Sequence, residues 1–117
     1  MKNIKKVTRL KVLSKYGSRC AYCGDNISIN TLQVDHIEPK NRHLKPHLRG
    51  TDELFNLNPS CKSCNSSKST WSIEEFRDRI LYKIEIQRRD NANFRLRDRF
   101  KLIKVSSSPV IFYFETI

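Results

Sequence analysis

Apolar residues recur at helical spacing in three parts of the chain. Apolar residues close to the helical period, with lysines and an arginine between them, predict a short amphipathic helix over residues 4–16. A second apolar stripe opens with the capping box Ser72–Glu75 and predicts a helix to about Arg88. Polar residues 90–91 break this pattern, and a third, basic amphipathic segment follows over residues 94–103.

β-prone residues predict the strands. Residues 27–37 favour a strand or hairpin that ends at Asp35 and His36. A second short strand is expected at residues 55–57, and a third at the C-terminus through residues 110–114. Mixed helices and short strands in this order indicate an α+β fold.

Composition and charge narrow the class of protein. The chain has 117 residues, which is room for one domain, and carries 23 Lys and Arg against 12 acidic residues, a formal charge of +11. This excess predicts a polyanionic partner, most simply nucleic acid, held by basic residues in 2–19 and 77–104; a merely solvated basic surface is the alternative. No apolar run could span a bilayer and no secretory signal is recognisable, so we expect a cytoplasmic protein.

The cysteines predict a metal site. They form two CxxC pairs, Cys20 with Cys23 and Cys61 with Cys64. Two such pairs, each on a tight turn, are typical of a structural zinc ion held by four thiolates. Disulfides are the alternative, but they belong to exported proteins. A C2H2 finger using His36 and His43 fits poorly, because six residues separate the histidines and the second pair would be unused.

Polar residues between and beside the pairs predict hydrolytic chemistry. Asp35 and His36 sit together at a predicted strand end, and Asn65 directly follows the last cysteine. A carboxylate and an amide oxygen are hard ligands that suit Mg²⁺ or Mn²⁺, while the imidazole can address a water molecule. Taken singly, each has a bland alternative: a surface Asp-His pair, a turn at Asn56, or a helix N-cap at Asn65.

Together these residues resemble the four-cysteine branch of the HNH endonucleases. The resemblance covers about residues 18–70 and is carried by the following run: Cys20-x-x-Cys23, Val34-Asp35-His36-Ile37-x-Pro39, Gly50-x-Asp52, Asn56-Leu57 and Cys61-x-x-Cys64-Asn65-x-x-Lys68. It implies a zinc-stapled ββα-metal core. The flanking N- and C-terminal helices and the C-terminal strand are predicted from the residue pattern. We therefore expect a single nuclease domain over residues 1–117, with an extension over about 72–117.

The resemblance also implies a role for each site residue. His36 corresponds to the general base that activates the attacking water, and Asp35 to the metal ligand before it. Asn56 corresponds to the residue that braces the hairpin loop and orients the base, and Asn65 to the second ligand of a single Mg²⁺ or Mn²⁺ ion. That ion acts as a Lewis acid in hydrolysis of DNA, with RNA not excluded, leaving 5′-phosphate and 3′-hydroxyl ends.

Other residues and functions remain as alternatives. Lys68 is a candidate phosphate contact or a solvated lysine, and His43 and His47 are secondary candidates in a cationic loop. Trp71 and the aromatic residues 112–114 could stack on bases, but we interpret them as core. A non-catalytic zinc-ribbon module that binds nucleic acid is the rival function, and a protein-binding adaptor is a third. The sequence leaves the oligomeric state open.

Overall fold

A computed structural model describes residues 4–40 and 50–117. Its regular elements are, in chain order, helix α1 (Lys6–Ser14), strand β1 (Gln33–His36), a 3₁₀ helix (Leu54–Asn56), strand β2 (Leu57–Ser60), helices α2 (Lys62–Lys68), α3 (Ile73–Asp90) and α4 (Ala92–Arg99), and a second 3₁₀ helix (Tyr113–Thr116). The chain divides into two compact units, residues 1–73 with 111–117, and residues 74–110. That a single domain spans residues 1–117 stays a prediction. No helix in the described residues is long and apolar enough to cross a membrane.

The first unit is built on a two-stranded antiparallel sheet of β1 and β2. The register places Asp35 opposite Asn58 and His36 opposite Leu57. Neighbouring side chains of a strand point to opposite faces, and Asp35 is accordingly buried while His36 is partly exposed. The predicted strand end at Asp35 and His36 is therefore confirmed, but the strand begins only at Gln33, and residues 27–32 of the predicted strand or hairpin lie outside it.

The second strand lies later in the chain than predicted. Residues 55–57 were expected to form it, but β2 begins only at Leu57, and a single 3₁₀ turn precedes it. In that turn the backbone N–H of Asn56 donates to the carbonyl of Glu53 at 2.8 Å. The N–H of Asn56 is therefore used inside the turn and is not available to donate to a neighbouring strand.

A small apolar core holds the first unit together. Its buried apolar residues come from α1, from the first cysteine turn and the segment after it, from β2 and from the C-terminal segment; they are Val12, Cys20, Ala21, Tyr22, Ile27, Leu32, Leu57 and Phe112. The rings of Tyr22 and Phe112 meet edge to face with centroids 5.2 Å apart. The predicted N-terminal helix is confirmed as α1. Of the aromatic residues interpreted as core, Phe112 is buried and Tyr113 and Phe114 are partly buried, but Trp71 is exposed, so that interpretation is wrong for Trp71.

The predicted C-terminal strand over residues 110–114 is wrong. The backbone N–H groups of Tyr113 and Phe114 donate to the carbonyls of Tyr22 and Ala21, at 3.0 and 2.8 Å, and a 3₁₀ helix forms. The aromatic residues gave the segment its strand-like pattern, but they pack on the first cysteine turn instead of on a neighbouring strand.

Helices α3 and α4 account for the second unit. The predicted long helix is confirmed as α3, and the predicted break is confirmed by Asn91, whose side-chain oxygen accepts from the N–H of Phe94 at 3.0 Å and so caps α4. The guanidinium of Arg88 lies 3.5 Å from the carboxylate of Asp98. The last helix is shorter than the segment predicted over residues 94–103.

A network of buried polar side chains lies under β1. The carboxylate of Asp35 accepts a hydrogen bond from the hydroxyl of Tyr22 and lies 3.3 Å from the ammonium of Lys68, which is fully buried. The same ammonium donates to the carbonyl of His36 at 2.8 Å. Burial raises the pKa of Asp35, and the positive charge of Lys68 opposes that shift. The pair therefore fixes the end of β1 to the end of α2.

Gly50 is required by close packing at the base of the loop, which connects β1 to the first 3₁₀ helix. A Cβ atom at this position would lie 1.6 Å from the backbone oxygen of Glu38 and 2.8 Å from the side-chain nitrogen of Asn56. The backbone N–H of Gly50 donates to the carbonyl of Pro39 at 2.9 Å. The two ends of the loop can approach this closely only because residue 50 has no side chain.

Replacing Gly50 by alanine should therefore destabilise the protein by about 1–3 kcal/mol, since the added methyl group must push backbone atoms apart. Urea denaturation measures the loss. Gly17→Asn is the matched control, because Gly17 has a φ of +65° and no atom within 4 Å of a Cβ; asparagine tolerates that backbone and should cost little. Equal stability of the Gly50→Ala variant and the wild type would contradict the steric argument.

Removing Lys68 should cost more than removing the whole ion pair. Lys68→Met leaves the Asp35 carboxylate buried without its cation, a change that typically costs about 3–5 kcal/mol. The double variant Asp35→Asn, Lys68→Met buries no charge and should recover much of that loss. Urea denaturation of the two variants tests the difference. If they are equally unstable, the pair does not determine the stability of this region.

Candidate active site

The four cysteines come together in space. Their sulfur atoms all lie within 4.8 Å of one another, and those of Cys23 and Cys61 are 3.9 Å apart. The first pair lies on a tight turn, in which the N–H of Gly24 donates to the carbonyl of Cys20. The second pair lies on the first turn of α2, where the sulfur of Cys61, the N-cap residue, accepts from the N–H of Cys64. The cluster is therefore positioned to bind a metal ion, and none of the four cysteines forms a disulfide.

The spacing of the cluster fits a tetrahedral ion. Four sulfurs about 2.3 Å from a zinc ion lie about 3.8 Å from each other, close to the separation of Cys23 and Cys61. A hydrogen bond from Cys64 lowers the pKa of Cys20, which favours the thiolate, the form that binds metal. His36 lies outside the cluster and contacts Asp52 instead, which does not fit a C2H2 finger.

One cleft is lined by the predicted base and by the two predicted ligands of the catalytic metal ion. It has a volume of about 590 Å³, and Asp35, His36 and Asn65 all line it, together with Lys40 and Asp52. Asp35 and His36 reach it from the end of β1, and Asn65 from α2. The N–H of Asn65 donates to the carbonyl of Cys61 at 3.0 Å, so the cysteine turn places this residue.

The oxygen ligands in the cleft fit a hard divalent cation. A carboxylate offers about four acceptor positions, and Tyr22 and Lys68 use two of those on Asp35. The remaining lone pairs of the Asp35 carboxylate and the side-chain oxygen of Asn65 are oxygen ligands of the kind that Mg²⁺ and Mn²⁺ prefer. Asp35 and Asn65 could therefore hold such an ion at the cleft.

Asn56 joins the two ends of the loop. Its side-chain oxygen accepts from the N–H of Glu38 at 2.8 Å, and its amide nitrogen donates to the carbonyls of Glu38 and Thr51 at 3.1 and 2.7 Å. Its own carbonyl accepts from the N–H of Ile37 at 2.9 Å. The side chain does not line the cleft and can act on His36 only through the loop.

The imidazole of His36 is engaged by an acid that the sequence did not single out. Its Nε2 lies 2.8 Å from Oδ1 of Asp52, and the other oxygen of Asp52 lies 2.8 Å from the ammonium of Lys40. Hydrogen bonds from Lys40 and His36 hold the pKa of Asp52 below its usual range. Asp52 entered the sequence argument only as part of the spacing Gly50-x-Asp52, which was the signal that could have found it.

Of the other predicted site residues, the structure describes only Lys68. Lys68 points into the buried network, and to contact a phosphate it would have to leave both Asp35 and the carbonyl of His36. His43 and His47, the secondary candidates, fall outside the described residues.

Comparison with known families identifies the central segment. A family model described as HNH endonuclease matches residues 20–70. A protein of the SPbeta prophage of Bacillus subtilis (strain 168), named an HNH endonuclease, is 32% identical over 76 residues, which are 63% of this chain and 33% of the relative. A protein of retron Vc95 in Vibrio cholerae serotype O1 biovar El Tor, also named an HNH endonuclease, is 32% identical over 80 residues, 68% of this chain and 38% of the relative.

A solved structure shows the same fold. The CRISPR-associated endonuclease Cas9 of Actinomyces naeslundii is 40% identical over 63 residues, 54% of this chain and 5% of Cas9. The crystal structure of this Type II-C enzyme matches with a TM-score of 0.56 and 31% identity, over 68% of this chain and 9% of that one. The chain matches 33% of the length of the prophage relative and 38% of the length of the retron relative. Residues 20–70, with their clustered cysteines and small antiparallel sheet, are an HNH endonuclease domain.

Proposed function

We propose that the protein is a metal-dependent endonuclease that hydrolyses phosphodiester bonds of DNA. The observation that carries this proposal is the convergence of Asp35, His36 and Asn65 on one cleft within the HNH domain. A protein that only bound nucleic acid through its charge would have no need of a carboxylate, an imidazole and an amide in one cleft.

In this proposal each residue has a defined role. His36 takes a proton from the attacking water, whose oxygen forms a bond to phosphorus as the bond to the 3′ oxygen breaks. Asp35 and Asn65 hold the divalent ion, Mg²⁺ or Mn²⁺, which when bound supplies Lewis-acid stabilisation of the leaving oxygen. That oxygen takes a proton from solvent, so the products carry 5′-phosphate and 3′-hydroxyl ends.

Asn56 and the cysteine cluster support these residues. Asn56 braces the loop after β1 by its bonds to Glu38 and Thr51, and so orients the base. We propose that the ion held by the four cysteines is a structural zinc. Cys64 precedes Asn65 directly, so the zinc site would also determine where the second ligand of the catalytic ion lies.

The charge of the chain supports DNA as the substrate. The formal charge of +11 favours a polyanion, and basic residues in 2–19 and 77–104 would hold the phosphate backbone. Lys68 is buried beside Asp35, so the described position of this lysine does not support its predicted contact with a phosphate.

Loss of one thiolate should unfold the first unit, because zinc binding in such small domains contributes directly to folding free energy. Cys64→Ala should lose its zinc and its cooperative thermal transition. Ser63→Ala, a change at an exposed position in the same turn, is the matched control and should keep both. Elemental analysis of protein purified without chelator is expected to find one zinc per chain. A wild type that is folded and free of zinc would refute the assignment.

Plasmid cleavage separates the base from the metal ligand. His36→Ala should keep the fold, the zinc and DNA affinity but lose about 10²- to 10⁴-fold in rate, the usual contribution of a general base. Asn65→Ala should need more Mg²⁺ and be only partly rescued by excess metal. Ser66→Ala, an exposed neighbour, serves as the control. DNA ligase should reseal the nicks made by the wild type, because that reaction needs 5′-phosphate and 3′-hydroxyl ends.

Two outcomes would contradict the proposal in different ways. Wild-type rates in His36→Ala would show that another residue is the base. A folded, zinc-loaded wild type that binds DNA but cleaves none with any divalent metal would favour the rival zinc-ribbon binding module.

A further inference from the structure

We propose that Asp52 is the positioning residue for His36: its carboxylate holds the hydrogen of the imidazole on Nε2 and leaves Nδ1 as the nitrogen that accepts a proton. This inference rests on the proposed function, because it concerns the base of that reaction. The carrying observation is the 2.8 Å contact between Nε2 of His36 and Oδ1 of Asp52.

The chemistry of the two groups determines the direction of this hydrogen bond. An ionised carboxylate can only accept hydrogen bonds, so the neutral ring must donate from Nε2 to keep the contact. The ammonium of Lys40, 2.8 Å from the second oxygen of Asp52, keeps that carboxylate anionic. A neutral imidazole carries one hydrogen, and with Nε2 protonated its lone pair is on Nδ1. Only the tautomer with a free Nδ1 then satisfies the contact with Asp52.

The surrounding bonds explain how His36 is held from both sides. Its backbone carbonyl accepts from Lys68 at 2.8 Å, and its ring is held by Asp52. Asp52 follows Thr51, whose carbonyl accepts from the side chain of Asn56 at 2.7 Å. Asn56 is therefore linked to the base in two ways: through the backbone of residues 51–52 and the carboxylate of Asp52, and through its bonds to the backbone of Ile37 and Glu38, which follow His36 in the chain.

The contact between His36 and Asp52 is partly exposed to solvent, so the assignment of the tautomer needs a direct test. The side chains of His36 and Asp52 are 23% and 39% exposed, so water could satisfy either one. If the contact were only a surface ion pair, its loss would leave the tautomer to be set by solvent. The position of the hydrogen on the ring distinguishes the two cases.

Asp52→Asn is the decisive variant, because it keeps the shape and reverses the hydrogen bond. Lys40 can pair only with the amide oxygen, which turns the amide N–H₂ toward Nε2 of His36. The ring must then accept a hydrogen bond at Nε2 and carry its own hydrogen on Nδ1. Because Nδ1 then has no free lone pair, the ring can no longer act as the base. The corresponding change in serine proteases lowers kcat about 10⁴-fold. We expect a loss of about 10²- to 10⁴-fold in plasmid cleavage.

Long-range ¹H–¹⁵N NMR of the imidazole rings reads the tautomer directly, at pH 8 and without DNA or divalent metal. The chain has three histidines, and the signals missing in His36→Ala identify the ring of interest. The wild type should show the Nε2–H tautomer, and Asp52→Asn should show Nδ1–H. Glu53→Gln removes the same charge from the next residue and should keep both the wild-type tautomer and the wild-type rate.

Each result bears on one of the two proposals. A wild type with Nδ1–H, or an Asp52→Asn variant that keeps Nε2–H, would overturn the role of Asp52 whatever its rate of cleavage. Unchanged cleavage in Asp52→Asn with a reversed tautomer would overturn the link to the base. A wild type with the expected tautomer that cleaves no DNA would instead overturn the proposed function and leave the hydrogen-bond assignment intact.

Discussion

The first unit depends on the clustering of its four cysteines. Two turns of the chain, about forty residues apart, each contribute one pair to this cluster. The backbone N–H of Ala21 in the first turn donates to the carbonyl of Pro59, just before the second turn, at 2.8 Å. The apolar core around them is small, and a domain of this size rarely gains enough stability from burial alone. A metal ion bound by both turns would supply the missing cross-link and hold β2 and α2 in place.

Buried polar contacts, more than apolar packing, determine the positions of the side chains at the site. Asp35, Asn56, Asn58, Ser60 and Lys68 are all buried, and among the described residues no buried side-chain nitrogen or oxygen lacks a partner. Such contacts are directional, so they determine where a side chain lies to within a hydrogen-bond length. The pair of Asp35 and Lys68 stabilises one arrangement of β1 against α2, and catalysis in the proposed mechanism needs that arrangement.

The C-terminal segment contributes to the same site from a distance. Phe112 and Phe114 pack edge to face on Tyr22, and the hydroxyl of Tyr22 donates to the carboxylate of Asp35. The aromatic cluster therefore reaches, through one tyrosine, the proposed metal ligand. Residues outside the HNH domain thus support a residue inside it, which the domain motif alone does not reveal.

The sequence by itself determined the features whose causes are local or repeat at a known spacing. Paired cysteines, a capping box before an apolar stripe and a polar break at residues 90–91 act over a few residues, so the metal cluster, α3 and the start of α4 were predicted. The chemistry of Asp35, His36 and Asn65 made them candidates, the resemblance to HNH endonucleases gave each a role, and the structure brings all three to one cleft.

Only the tertiary structure decided which distant group each side chain meets. It placed Asp52 on His36 and buried Lys68 beside Asp35. It also docked residues 111–117 on the first cysteine turn, where a strand had been predicted. These outcomes depend on partners 16 to 93 residues away in the chain, and local propensity carries no information about such partners.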